Sequence, residues 1–236
     1  MNRVFPKKKY LSIMLRVIQH IVLIPLLISA IMSLKSFRSG WPVSYRVFSI
    51  LLWTMIVLEL FAAIWKELLY ELPFWSFTNS NHWIYNLSFF LQYPLYFYFF
   101  YSVFDLTKIK RNIVIVFIFF FLFMLLNYFF LQGVSQLNTY TMVFADLVTV
   151  ILSIRYFNEV RNKDEIVRLD KNPMIWIMLG IFINHSVNIP YTLGMPYFWL
   201  NYTDLAIAFF YVYSTINCIM LILFSKAYLC PTPRPN

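Results

Sequence analysis

Residues 112–132 read NIVIVFIFFFLFMLLNYFFLQ, a stretch without a charged side chain. The hydrocarbon core of a bilayer is roughly 30 Å thick, and a helix of about 20 apolar residues crosses it. Lipid offers no partner for unpaired backbone groups, and the alternating pattern of a barrel strand is absent here. The chain contains seven such runs, and the predicted helices cover residues 17–35, 45–65, 83–104, 112–132, 139–157, 172–193 and 202–228. The sequence therefore predicts an all-α bundle of seven transmembrane helices that forms one domain over residues 1–236.

The composition supports lipid as the surrounding medium. The 236 residues are 61% apolar, 21% aromatic and only 12% charged. A soluble domain carries about 25% charged residues, and a chain of this size cannot hide so much apolar surface from water. The net charge of +9 comes from Lys and Arg that fall almost entirely between the apolar runs. This placement favours contact with a lipid bilayer and argues against binding of nucleic acid.

The distribution of basic residues predicts the orientation. Thirteen of the nineteen Lys and Arg lie in the loops 1–2, 3–4 and 5–6, at the helix ends beside them or at the C-terminal end of the chain, and six lie on the other side. The positive-inside rule then places the N-terminus outside and the C-terminus inside. The basic N-terminal segment, with Lys7, Lys8 and Lys9, argues locally for the opposite orientation. Because the loops 4–5 and 6–7 contain no basic residue, the total decides the prediction.

Polar side chains within the runs are the candidates for function, because an ionisable group at membrane depth is costly. A rise of about 1.5 Å per helical residue places nearly all of them in the outer half. Asn184 and Asn188 are four residues apart and share a helical face. We predict a polar cavity that opens to the outside, lined by helices 2, 5 and 6 with support from 3 and 7. Its candidate ligand-binding residues are Glu59, Tyr85, Asn86, Asn127, Asp146, Asn184, His185, Asn188 and Asp204. In the alternative interpretation, Glu59 and Asp146 pair with His185 or with amides and hold the helices in register.

Residues 157–171 read FNEVRNKDEIVRLDK and carry eight charges of both signs. This segment is either a solvated extension of helix 5 or a docking face for a partner protein. In the second case the candidate contact residues are Arg161, Lys163, Asp164, Glu165 and Arg168.

A resemblance appears at this segment. Residues 156–176, YFNEVRNKDEIVRLDKNPMIW, and residues 81–86, NHWIYN, resemble sequences in uncharacterised seven-helix membrane proteins of Bacteroidota. Those proteins are often encoded beside, or fused to, sensor histidine kinases. The resemblance implies a sensory or accessory role in a bacterial inner membrane, with a separate signalling protein such as a histidine kinase as partner. It implies no known chemistry.

The first expectation is therefore a sensor or signalling accessory protein that binds an unidentified small molecule and has no catalytic residue, metal or cofactor. The chain contains no soluble output domain, so a signal would pass to a separate protein. An ion or small-molecule transporter is an alternative, in which Glu59 and Asp146 serve a proton or cation pathway. The nearly apolar inner half offers no continuous polar path, which disfavours a transporter. Transporters also commonly contain helices interrupted by glycine, and this chain has only four glycines.

An intramembrane metal-dependent hydrolase is the other alternative. Alkaline-ceramidase-like seven-helix hydrolases share the predicted orientation and hold zinc with three histidines, an Asp and a Ser. This chain has three histidines, His20, His82 and His185. The paired histidines of the last helix of that family are absent. A microbial rhodopsin is excluded because it needs a Lys in the middle of helix 7, whereas Lys226 lies at the inner end.

Overall fold

The computed structural model describes residues 21–38, 40–65, 81–133, 136–162 and 169–232. These residues form helices and turns, and no strand occurs among them. The predicted all-α fold is therefore confirmed. The seven main helices are α1 (Ile21–Phe37), α2 (Val43–Ile64), α3 (His82–Val103), α4 (Thr107–Leu126), α5 (Thr139–Arg161), α6 (Pro173–Asn201) and α7 (Thr203–Leu229). A π-helical turn, Asn127–Leu131, continues α4, and 3₁₀ turns lie at Leu34–Phe37 and Leu169–Lys171.

Five of these helices are long and apolar enough to cross a membrane: α2, α4 with its π-helical turn, α5, α6 and α7. The outer surface of the bundle is apolar as well. Phe119, Phe130 and Leu200 are 63%, 79% and 83% exposed. Soluble monomers rarely leave apolar patches of this kind in contact with water. The chain is therefore an integral membrane protein.

The end of α6 differs from the prediction. Helix 6 was predicted to end at residue 193, whereas α6 continues to Asn201 and only Tyr202 separates it from α7. Pro190 and Pro196 both lie inside this helix. Proline removes one backbone donor and usually ends a helix in a soluble protein. In lipid, a loop would leave several backbone groups without hydrogen-bond partners. A helix that contains proline leaves fewer such groups, and neighbouring helices and side chains can bind them, so the helix continues. The predicted end of helix 5 at residue 157 was also too early, because α5 extends to Arg161.

The start of α6 follows its sequence signal. The Oδ1 atom of Asn172 accepts a hydrogen bond from the backbone N of Met174 at 3.0 Å. Pro173 is the first helical residue, where its missing N–H costs nothing. Asn172 is thus the N-cap of α6.

Serine hydroxyls join α1 to its neighbours. The Oγ atoms of Ser33 and Ser49 are 2.6 Å apart and link α1 to α2. Ser29 Oγ lies 2.7 Å from the carbonyl oxygen of Leu221 and 3.0 Å from Ser225 Oγ, and so links α1 to α7. Small hydroxyl residues let helices approach closely in a membrane. The half of the bundle that the sequence analysis treated as nearly apolar thus contains neutral hydrogen bonds between helices.

An aromatic core fills the bundle near the start of α2 and the ends of α3 and α7. The ring of Phe48 lies 5.1 Å from that of Phe99 and 4.8 Å from that of Phe224. All three side chains are buried. The polar candidate residues lie farther along these helices, toward the α4–α5 turn.

Candidate functional site

Asp146 of α5 is the centre of a buried polar cluster. Its Oδ1 atom lies 2.6 Å from Nδ1 of His185, and its Oδ2 atom accepts a hydrogen bond from Nδ2 of Asn188 at 2.7 Å. His185 and Asn188 are three residues apart on α6 and share one face of that helix. Asp146 is 2% exposed, and His185 and Asn188 are each 7% exposed. Both oxygens of the carboxylate are therefore engaged across the α5–α6 contact.

The arrangement follows from the cost of placing a carboxylate in a low-dielectric interior. An isolated charge there is strongly unfavourable, and a partner with further hydrogen bonds offsets the penalty. When Asp146 is ionised, His185 donates a hydrogen bond to it through Nδ1–H. The other ring nitrogen, Nε2, then carries a lone pair in the neutral ring and a second N–H in the imidazolium. The cluster can thus accept or release a proton at Nε2 without losing the bond to Asp146.

Two polar atoms of the cluster have no hydrogen-bond partner among the described residues. They are Nε2 of His185 and Oδ1 of Asn184. Asn184 is 8% exposed and lies one turn before Asn188. A buried polar atom without a partner costs about 1–3 kcal/mol, so such atoms call for an explanation such as a bound molecule. These two atoms are therefore the unsatisfied polar groups of α6 beside the Asp146 contact.

Tyrosines of α3 and α7 enclose the cluster. The ring of Tyr96 meets that of His185 edge to face, with 5.4 Å between centroids and an interplanar angle of 89°. Tyr93 of α3 and Tyr213 of α7 also lie within electrostatic range of Asp146. The sequence does not distinguish these residues, because they are three of seventeen tyrosines in an aromatic-rich chain. Four helices, α3, α5, α6 and α7, therefore surround the site.

No family model, curated protein or solved structure matches the chain. The geometry of the cluster is thus the main indication of function.

Four of the candidate ligand-binding residues are buried in this structure. Asp146 contacts His185 and Asn188, and these three residues and Asn184 are each at most 8% exposed. The carboxylate of Asp146 thus has protein partners in place of water. The pairing of Asp146 with His185, which was the alternative interpretation, is present in the structure.

Glu59 and Tyr85 form a second, separate contact between α2 and α3. The phenol of Tyr85 donates to Oε2 of Glu59 at 3.1 Å. Glu59 is half-buried. The alternative in which Glu59 pairs with His185 is not found, because His185 Nδ1 contacts Asp146 and its Nε2 has no partner among the described residues.

Asn86 and Asn127 hold the α4–α5 turn. Nδ2 of Asn86 donates to the carbonyl oxygen of Gln136 at 2.7 Å, and its Oδ1 accepts from the backbone N of Asn138 at 3.0 Å. Asn127 begins the π-helical turn, and its Nδ2 donates to Thr141 Oγ1 at 2.9 Å. Both side chains are buried. Their contacts fix the turn and lie apart from the Asp146 cluster.

The remaining candidates lie outside the cluster. Asp204 is exposed in the first turn of α7. Arg161 is exposed at the last residue of α5. The other four predicted partner-contact residues, Lys163, Asp164, Glu165 and Arg168, lie outside the described residues.

The hydrolase alternative requires a metal centre. In the part of the chain that the structure describes, no group of three or more His, Cys, Asp or Glu side chains is arranged to hold a metal ion. Asp146 and His185 supply two side chains that could bind a metal, but no third one lies beside them in the described residues. His20 lies outside the described residues. The described geometry therefore gives the hydrolase alternative no support.

Proposed function

We propose that the chain crosses a bacterial inner membrane seven times, with the N-terminus outside, and acts as a sensor or signalling accessory protein. The observation that supports this proposal is the buried cluster of Asp146, His185 and Asn188. Ionisable groups at membrane depth are rare and usually serve function. The unpartnered Nε2 of His185 provides a point at which a small molecule or a proton changes the cluster.

The cluster lies on the two helices that flank the charged segment 157–171, which is the proposed contact with a partner protein. It joins α5 and α6, which are the two helices on either side of the charged segment 157–171. Asp146 lies about 20 Å along α5 from Arg161, so input and output occupy different levels of the same helix pair. A ligand that favours one arrangement of the Asp146–His185 contact shifts α5 against α6, and packed interfaces respond in discrete steps. A separate protein such as a histidine kinase would then sense the shift at the segment.

A transporter fits the described residues less well. Transport of an ion requires a polar path through the whole bundle. The aromatic core of Phe48, Phe99 and Phe224 fills the interior beyond the cluster.

The partner contact is tested by purifying the full chain from its native host in mild detergent, followed by native mass spectrometry. We expect a co-purifying protein that is lost when Arg161→Gln is combined with Arg168→Gln. The matched control combines Lys108→Gln with Arg111→Gln, which removes the same charge from the start of α4 and should leave the complex intact. Recovery of the chain alone, or equal loss of the protein from both variants, would count against the proposal.

The orientation is tested by labelling single cysteines in a Cys218→Ser, Cys230→Ser background. Asp204→Cys and Lys108→Cys place thiols at exposed positions that three helices separate. We expect a membrane-impermeant maleimide to label the first in intact spheroplasts and the second only after lysis. The reverse pattern would show an inverted chain. Labelling of both thiols before lysis would show that α4, α5 and α6 do not all cross.

A further inference from the structure

A cleft of about 550 Å³ lies between the 3₁₀ turn before α6 and the last turns of α7. The charged residues that line it are Asp170, Lys171 and Lys226. Its apolar lining includes Ile222 and Leu229, which precede and follow Lys226 on α7. The cleft lies at the end of an apolar span, where a bilayer changes from hydrocarbon to headgroups. Its residues form no part of the Asp146 cluster.

An aromatic ring fixes one cation at the cleft. Nζ of Lys226 lies 3.7 Å from the centre of the Trp176 ring. The Nε1–H of Trp176 donates to the carbonyl oxygen of Asp170 at 3.0 Å, which orients the ring. A cation over an indole face is attracted to it and keeps its outward side available to an anion. Tryptophan is also typical of the membrane–water interface.

The described residues that line the cleft carry a net positive charge. Neither Lys171 nor Lys226 has a carboxylate partner among the described residues, where the one ion pair is that of Asp146 with His185. Among the described lining residues, Asp170 supplies the single carboxylate. Burial raises the pKa of the Cys230 thiol at the rim, so this thiol stays neutral and adds no negative charge.

A third cation lies nearby. Nζ of Lys35 in α1 donates to the carbonyl oxygens of Tyr228 and Cys230 at 3.1 and 3.3 Å. These carbonyls belong to the last turn of α7, where a positive charge is favourable. Lys35 thus cancels the negative end of α7 that would otherwise repel an anion from the cleft.

Ile222 lies deeper than the cations. It is one turn before Lys226 on α7, about 6 Å farther into the membrane, and its side chain is 59% exposed. Leu229 follows Lys226 on α7 and lies on the headgroup side of it. A ligand that matches both the lysines and Ile222 therefore carries a negative group above an aliphatic chain.

We infer that this cleft binds one anionic phospholipid, with its phosphate between Lys226 and Lys171 and an acyl chain along Ile222. Basic pockets between transmembrane helices recognise anionic headgroups in this way. A soluble phosphate would satisfy the lysines but leave Ile222 uncovered. The inference does not rest on the proposed signalling function.

The charge is tested by titrating the purified full chain with phosphatidylglycerol or with phosphatidylcholine of the same acyl chains, read by native mass spectrometry. We expect tighter binding of phosphatidylglycerol. Lys226→Gln should weaken that binding about fivefold, and its combination with Lys171→Gln about 25-fold. Lys226→Arg and the control Lys108→Gln should leave it unchanged. Equal binding of the two lipids, or equal loss with Lys108→Gln, would overturn the inference.

The cleft itself is tested without any change of charge. Ile222→Trp fills the space along which the acyl chain would lie and should weaken phosphatidylglycerol binding at least fivefold, whereas Ile118→Trp, at an exposed position of α4 outside the lining, should not. If both variants bind as the unaltered chain does, the lysines attract lipid without a defined site. Displacement of the lipid by millimolar inorganic phosphate would show a site for a free anion instead. Should Lys226→Gln fail to fold, the Lys226→Arg and Ile222→Trp variants still decide between these outcomes.

Discussion

Replacement of Asp146 by Ala is expected to lower the free energy of unfolding of the chain in detergent micelles by about 3 kcal/mol. The substitution leaves Nδ1 of His185 and Nδ2 of Asn188 buried without their acceptors. A single hydrogen bond between membrane helices contributes only about 0.6 kcal/mol on average. The loss here is larger because one group accepts two bonds and both donors are then left unpaired.

Two control variants separate this effect from the general loss of a carboxylate. Asp204→Ala removes an exposed acid from α7 and should change the free energy of unfolding by less than about 0.5 kcal/mol. Asp146→Asn keeps an acceptor for one of the two partners, so its free energy of unfolding should lie between those of the other two variants. Unfolding in mixed micelles of mild detergent and dodecyl sulfate, followed by circular dichroism, measures all three. An Asp146→Ala variant as stable as Asp204→Ala would contradict the paired geometry.

The helices were predictable because the signal for them is local. An uninterrupted run such as residues 112–132 specifies a helix in lipid whatever its neighbours are. The extension of α6 to Asn201 was not predictable from the same signal, since Pro190, Gly194 and Pro196 mark a turn in a soluble chain. Their acceptance within a helix depends on lipid and on the packing of α7.

The candidate site was predictable by residue type and not by pairing. The cost of an ionisable group in lipid singles out Glu59, Asp146 and His185 from the sequence alone. Which of the two acids meets His185 depends on the register of α5 against α6, which no local pattern contains. The enclosure of the site by Tyr96 of α3 depends likewise on tertiary packing. The sequence therefore indicates which helices carry the polar groups but not which of these groups form hydrogen bonds with one another.

At the cleft, too, the sequence gives the residue types, whereas the contacts between them depend on tertiary packing. The position of Lys226 near the end of helix 7 was evident from the sequence. Its contact with Trp176 joins residues fifty positions apart, so only the folded chain reveals it. The serine contacts of α1 with α2 and α7 are of this kind too.

The second large effect is expected at Gly180, where α6 approaches α7. A Cβ atom at this position would lie 2.7 Å from Cε1 of Phe224 and 3.3 Å from the carbonyl oxygen of Met220. The ring of Phe224 cannot move aside, because it is 1% exposed and packs at 4.8 Å against Phe48. Gly180→Ala should therefore lower the free energy of unfolding by about 1–3 kcal/mol, although Ala is the better helix former.

Gly194→Ala on the same helix is the matched control. Its new Cβ would lie 2.9 Å from Cε2 of Phe198, which is the far edge of a half-buried ring four residues along α6. That ring can rotate outward, so the helix propensity of Ala decides and the free energy of unfolding should stay equal or rise by up to about 1 kcal/mol. The two variants differ from each other only in what faces the added methyl group. Unfolding of both in the same mixed micelles measures this difference, and equal stabilities would mean that α6 and α7 are not in close contact at Gly180.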